Sequence, residues 1–120
     1  MATILIADDT ASEAALMADV VQRMGHVAQT VTDGEACLNT ARSLKPALIL
    51  LDVVMPKMDG FNTCRKIKKD PDLAGIPVIM VTSKNQDSDK FWAERQGANR
   101  FISKPFTPDS LADAIKAFVN

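Results

Sequence analysis

Leu48-Ile49-Leu50-Leu51-Asp52-Val53-Val54-Met55-Pro56-Lys57-Met58-Asp59-Gly60 is the stretch from which the rest of the chain is read. Its opening run, five residues with Ala47, is wholly apolar, too short for a buried helix and without polar alternation. A strand covered on both faces has that composition. The run stops abruptly on a carboxylate, Asp52. Pro56 and Gly60 then punctuate a loop, after which the apolar period lengthens to that of a helix at Phe61, Cys64 and Ile67.

The same unit recurs on either side. Ile4 to Ala7 is a short apolar run ending on Asp8-Asp9. Thr10 offers an N-cap, Glu13 completes a capping box, and Met17, Val20, Val21 and Met24 form a helical stripe that Gly25 stops. Val27 to Val31 is a shorter, more polar strand suited to a sheet edge. Asp33-Gly34 turns into a helix with the stripe Cys37, Ala41 and Leu44. Downstream, residues 76–81 form a fourth strand ending at Thr82-Ser83, and residues 88–97 an unusually polar helix. Phe101-Ile102-Ser103 is a fifth strand ending at Lys104-Pro105. The last helix has Thr107 as N-cap, Pro108 at its first position and Leu111, Ile115 and Phe118 on one face.

Five strands alternating with five helices predict an α/β fold, a doubly wound parallel sheet with right-handed crossovers. Of the two common doubly wound orders, the flavodoxin-like 2-1-3-4-5 suits five strands. An eight-fold barrel needs about twice this length. The 120 residues suit one domain spanning 1–120.

A hydrophobic content of 47% supports a sizeable core, and a net charge of −1 provides no overall attraction for nucleic acid or an anionic membrane. Lys57, Arg65, Lys66, Lys68 and Lys69 read as a solvated helix face. Cys37 and Cys64 are far apart, and His26 is the only histidine. A zinc cluster is thereby excluded, and both thiols read as buried helix filler in a reducing compartment. The N-terminal apolar run meets two acids too early for a signal peptide, and no run reaches membrane-spanning length. A soluble, cytoplasmic protein is expected.

In an open parallel sheet, ligands bind beyond the carboxyl ends of the strands where the order reverses, here between strands one and three. The residues at strand ends are Asp8, Asp9, Asp52, Thr82 and Lys104. Singly, each aspartate is an ordinary helix cap, Thr82 a turn residue and Lys104 a surface lysine. Together they suit one reaction. Three neighbouring carboxylates repel unless a hard cation joins them, and a few oxygen ligands suit Mg²⁺. A carboxylate can attack phosphorus to give an aspartyl phosphate. Lys104 supplies a second cationic contact and Thr82 a hydroxyl donor.

The stretches Ile4–Asp9 (ILIADD), Leu48–Gly60 (LILLDVVMPKMDG), Val78–Ser83 (VIMVTS) and Phe101–Phe106 (FISKPF) resemble, in order and spacing, the receiver domain of two-component response regulators. The resemblance covers the whole chain. It implies that Asp52 is the phosphoacceptor, served by a sensor histidine kinase. Asp8, Asp9, Asp52 and the backbone carbonyl of Val54 would hold Mg²⁺. Lys104 would contact the phosphoryl group, Thr82 and Phe101 would form the switch, and Lys104-Pro105 would be cis. It further implies output to a protein partner through the fourth helix, fifth strand and fifth helix, with no nucleic acid, no membrane insertion and a monomer or weak dimer. Such a chain catalyses only its own phosphorylation and dephosphorylation, so it is not an enzyme with a separate substrate.

Three positions depart from the family's commoner pattern. Phe101 replaces a tyrosine, which removes a hydroxyl that would need a partner when turned inward. Val54 is apolar and Lys84 basic on the side from which water approaches, and Val54 cannot orient that water, so slow hydrolysis is expected. The run Trp92-Ala93-Glu94-Arg95-Gln96-Gly97-Ala98 resembles the single-domain regulators of type IV pilus twitching motility. Phe91 and Trp92 are adjacent on a helix and cannot both face inward; the outward one is either tolerated or an anchor for a partner.

Other classes fit less well. A haloacid-dehalogenase-like phosphatase would carry D-x-D on the first strand, where this chain has Asp8-Asp9-Thr10. A flavodoxin-like electron carrier would need a phosphate-cradling loop where two acids stand. A phosphate sink for a shared kinase uses the same site. Origin within a larger hybrid kinase is disfavoured by the start at Met1, and no DNA-binding effector is expected after the last helix.

Overall fold

The computed structural model describes residues 1–120. Its elements are β1 (Thr3–Ala7), α1 (Ala11–Arg23), β2 (Val27–Val31), α2 (Gly34–Leu44), β3 (Leu48–Leu51), α3 (Gly60–Lys69), β4 (Val78–Thr82), α4 (Asp87–Arg95), β5 (Arg100–Ser103) and α5 (Pro108–Lys116). All neighbouring strands are parallel, in the order β2-β1-β3-β4-β5. This is the flavodoxin-like arrangement that the alternating periods predict. Boundaries shift slightly: β3 starts one residue later than expected, and β4 starts two residues later and ends one later, which draws Thr82 into the strand.

The apolar runs work by alternation. Leu5, Ile49, Leu51, Val78 and Met80 point to one face and pack with Cys37, Leu38, Ala41, Cys64 and Ile67 of α2 and α3. Ile4, Ile6, Leu48, Leu50, Ile79 and Val81 point to the other and meet Met17, Val21, Leu111 and Ile115 of α1 and α5. Each central strand therefore needs apolar residues at every position. β2, with one neighbour, keeps a mostly exposed or half-buried sequence, as an edge strand does.

Three expectations are corrected. In α2 the buried stripe is Cys37, Leu38 and Ala41, while Leu44 is 38% exposed. The helix stops at Lys45, whose left-handed backbone (φ 49°) turns the chain out of the helix immediately after Leu44. Lys68 is not simply solvated: its Nζ donates to the Ile76 carbonyl at 2.8 Å and ties α3 to the loop before β4. Partial burial holds its pKa below the usual lysine value. In α4, Phe91 and Trp92 are both 52% exposed, and Asp89 and Ala93 fill the inward face instead.

Cys37 and Cys64 are fully buried and unpaired. Burial raises the Cys37 thiol to about 12 and the Cys64 thiol to about 11, from an ordinary 9.0. A thiol-specific reagent at pH 8 should therefore label the denatured chain and leave the native one essentially unmodified over the same minutes. Above pH 9.0 the unfolded chain ionises first, so this burial costs stability as pH rises toward 12 and has no effect below. His26 is also buried, and its Nδ1 accepts from the Ala2 amide at 3.0 Å.

Candidate functional site

The parallel register sets Ala7 beside Leu51, so the residues that follow leave β1 and β3 side by side. The ladder continues past the strands: the Asp52 amide donates to Ala7 (2.9 Å) and the Lys104 amide to Thr82 (2.9 Å). Carboxylate oxygens of Asp8, Asp9 and Asp52 thereby lie within 4.8 Å of one another. Asp8 and Asp52 are buried and Asp9 is exposed.

Lys104 enters this cluster from the end of β5. Its Nζ donates to Asp8 Oδ2 at 2.7 Å and to Asp52 Oδ2 at 2.9 Å, and forms an ion pair with Glu13 Oε1 at 2.6 Å. Burial alone would lower the lysine's pKa, but the bonds to Asp8, Glu13 and Asp52 outweigh it and hold the ammonium above its usual value. Asp8 is raised, chiefly by burial; Lys104 and the Thr10 amide pull it down, and the neighbouring Asp52 charge adds to the rise. The Lys104-Pro105 peptide is cis, as the resemblance implies.

Asp52 is held by its own loop. Its Oδ1 accepts from the Val53 amide at 2.7 Å and the Val54 amide at 3.4 Å, leaving Oδ2 to face Lys104. That loop is pressed against the start of α3, where Asp59 Oδ1 accepts from the Asn62 amide and the Gly60 amide donates to Val53. A Cβ on Gly60 would collide with the Asp52 carbonyl oxygen and the Val53 Cα. Gly60→Ala is therefore expected to cost about 1–3 kcal/mol in urea unfolding and to disturb Asp52 directly, since the obstructing atoms are backbone.

The remaining expected residues surround this cluster. Thr82 closes β4, fully buried, and its Oγ1 accepts from the Lys84 amide at 3.2 Å. Lys84 Nζ pairs with Asp89 at 3.1 Å, and the other Asp89 oxygen accepts from the Gln86 amide at the start of α4. Val54 stands 58% exposed on the loop after Asp52. Phe101 is half-buried, packed against the α2–α3 side of the core, and lines a cavity of about 230 Å³ with Lys90, Ala93 and Glu94 of α4.

Glu13 is a site residue that the sequence reading missed. The expected capping box does not form: Thr10 makes no side-chain cap, and its amide donates to Asp8 Oδ1 at 2.9 Å. Glu13 is thereby released to reach Lys104.

The donor set suits a hard divalent cation. It contains only oxygen ligands, without nitrogen or sulfur, and three carboxylates, Asp8, Asp52 and Glu13, face one ammonium. Asp8, Asp9 and Asp52 are spaced to share one ion.

Known proteins resemble this chain along nearly its whole length. The sequence profile described as the response regulator receiver domain matches residues 4–116. Protein PilH of Pseudomonas aeruginosa is 38% identical over 117 residues, covering 98% of this chain and 97% of PilH. The alkaline phosphatase synthesis transcriptional regulatory protein PhoP of Bacillus subtilis is 34% identical over 97% of this chain, which spans 48% of that longer protein. Among solved structures, a response regulator from Chloroflexus aurantiacus superposes with a TM-score of 0.94 at 28% identity, over 98% of this chain and 96% of that one. Vibrio cholerae chemotaxis protein CheY4 superposes with a TM-score of 0.92 at 27% identity, over 99% of each chain.

Proposed function

The chain belongs to the response-regulator receiver family, and from that premise we propose that residues 1–120 form one receiver whose Asp52 accepts a phosphoryl group from a sensor histidine kinase. A receiver domain of a two-component system is a signalling switch rather than an enzyme with a separate substrate. The observation that carries the proposal is the convergence of Asp8, Asp9, Asp52 and Lys104 from three strand ends onto one point.

An Asp52 carboxylate oxygen forms the new P–O bond while the P–N bond to the kinase's phosphohistidine breaks, its electron pair leaving with the imidazole. Lys104 balances charge on the transferring group and Thr82 donates its hydroxyl. Asp8, Asp9, Asp52 and the Val54 carbonyl would hold Mg²⁺, which supplies positive charge against the phosphoryl oxygens when bound. The chain then catalyses only its own phosphorylation and dephosphorylation.

Thr82 and Phe101 are the proposed switch. Phosphorylation favours an arrangement with Thr82 toward the phosphoryl group and Phe101 turned inward, which reshapes α4, β5 and α5 for a protein partner. The half-buried position of Phe101 against the α4 cavity supports this reading. The exposed Phe91–Trp92 pair, its rings 5.8 Å apart, offers that partner an aromatic anchor. The similarity to PilH, together with the Trp92–Ala98 run, favours a role in type IV pilus motility. A cytoplasmic location and a monomer or weak dimer belong to the same proposal. No helix is long and apolar enough to cross a membrane.

The test is direct. Incubation with Mg²⁺ and a small phosphodonor should give an acid-stable, base-labile phosphate on the peptide carrying Asp52; no label, or label elsewhere, sinks the proposal. Val54 bears on how long that phosphate lasts. Its exposed isopropyl group cannot orient a water, so Val54→Asn should speed decay by about tenfold, read from loss of label after donor removal.

A further inference from the structure

Lys104 is crowded by acceptors: its ammonium donates to Asp8 and Asp52 and forms an ion pair with Glu13. Phosphorylation takes Asp52 away as a carboxylate partner, and the phosphoryl oxygens then compete with Asp8 and Glu13 for the ammonium. These two are not equally able to let go. The Asp8 side chain is fully buried and has no water to turn to, whereas the Glu13 side chain is 37% exposed at the first turn of α1. Glu13 also makes the shortest of the three bonds, and its cap role at Thr10 is unfilled.

We infer that Glu13 is a positioning residue that holds Lys104 in the unphosphorylated arrangement and competes with the phosphoryl group for it. The inference rests on the receiver reading of Asp52 and adds a fourth carboxylate to the site. Its consequence is a threshold: the phosphorylated state forms at the expense of the Glu13–Lys104 bond, so weakening that bond favours activation. Release of Glu13 also relieves its repulsion with the incoming negative group.

The competition can be measured without turnover, using the beryllofluoride anion with Mg²⁺ as a phosphoryl mimic and calorimetry as the readout. Two variants separate the bond from the field. Glu13→Gln removes the charge, and Glu13→Asp keeps the charge but is one methylene too short to reach Nζ. Both should bind the anion about threefold to tenfold more tightly than the wild type. Unchanged or weaker binding by Glu13→Asp overturns the inference, because the carboxylate's field and not its bond to Lys104 would then be at work. Unchanged binding by Glu13→Gln overturns it outright. A purely structural role would shift the urea midpoint and leave the affinity alone, so unfolding is followed in parallel. A wild type that fails to bind the anion removes the phosphoacceptor reading, and this inference with it.

Discussion

Asp52→Asn is expected to abolish labelling by a phosphodonor while leaving the fold at least as stable as the wild type. The first half follows from chemistry: an amide oxygen is a poor nucleophile toward phosphorus. The second half follows from the contacts. An asparagine Oδ1 can still accept from the Val53 amide, which fixes the loop. Lys104 keeps Asp8 and Glu13 as partners. What disappears is one negative charge in a crowd of them, a charge that contributes to the raised pKa of Asp8. Relief of that repulsion should offset the lost ion pair and leave stability unchanged or higher by about 1 kcal/mol. Urea unfolding reads the second effect and mass spectrometry of the intact chain the first. A variant that both loses labelling and unfolds more easily would mean that Asp52 is needed for the loop itself, and the loss of label would then say nothing about the acceptor.

The fold could be read from the sequence because the central strands leave no ambiguity. Ile4–Ala7, Leu48–Leu51 and Val78–Val81 are apolar at every position, and only a sheet covered on both faces buries such runs. The site acids and Lys104 were readable for the same reason: a parallel sheet brings all its carboxyl ends to one edge, so the residue after each run falls near the others. What escaped the reading was local competition between polar groups. Thr10 and Glu13 match a capping box by spacing, but Asp8 sits two residues before Thr10 and takes its amide first. Lys68 belongs by composition to a solvated basic face, yet the turn after α3 brings the Ile76 carbonyl within its reach. Helix geometry says only that Phe91 and Trp92 cannot both face inward; α4 is short and meets the core through Asp89 and Ala93, leaving both rings outside. In each case the deciding partner is distant in sequence or is itself a side chain, and periodicity carries no information about either.

Lys104→Met should move two properties of the site in opposite directions. In the wild type the ammonium bonds Asp8 Oδ2 and Asp52 Oδ2, on two of the three carboxylates spaced to share a divalent cation. Its removal takes away a competing positive charge, and Mg²⁺ affinity should rise by about tenfold, a modest fraction of the pair energies available near a partly buried charge. The same removal deletes the cation that balances the transferring phosphoryl group, so labelling should slow by about 10²–10³-fold. Without Mg²⁺ the variant leaves Asp8 buried opposite no cation and should lose about 3 kcal/mol in urea unfolding. Added Mg²⁺ should restore more of that stability than it gives the wild type, since a ligand that binds only the native state stabilises it by RT ln(1 + [L]/Kd), which grows as Kd falls. Tighter metal with slower labelling is a pairing that a damaged fold does not produce, because damage weakens both. If Mg²⁺ affinity falls instead, Lys104 is holding the carboxylates in place for the metal, and its part in the site is that of a spacer and not of a phosphoryl contact.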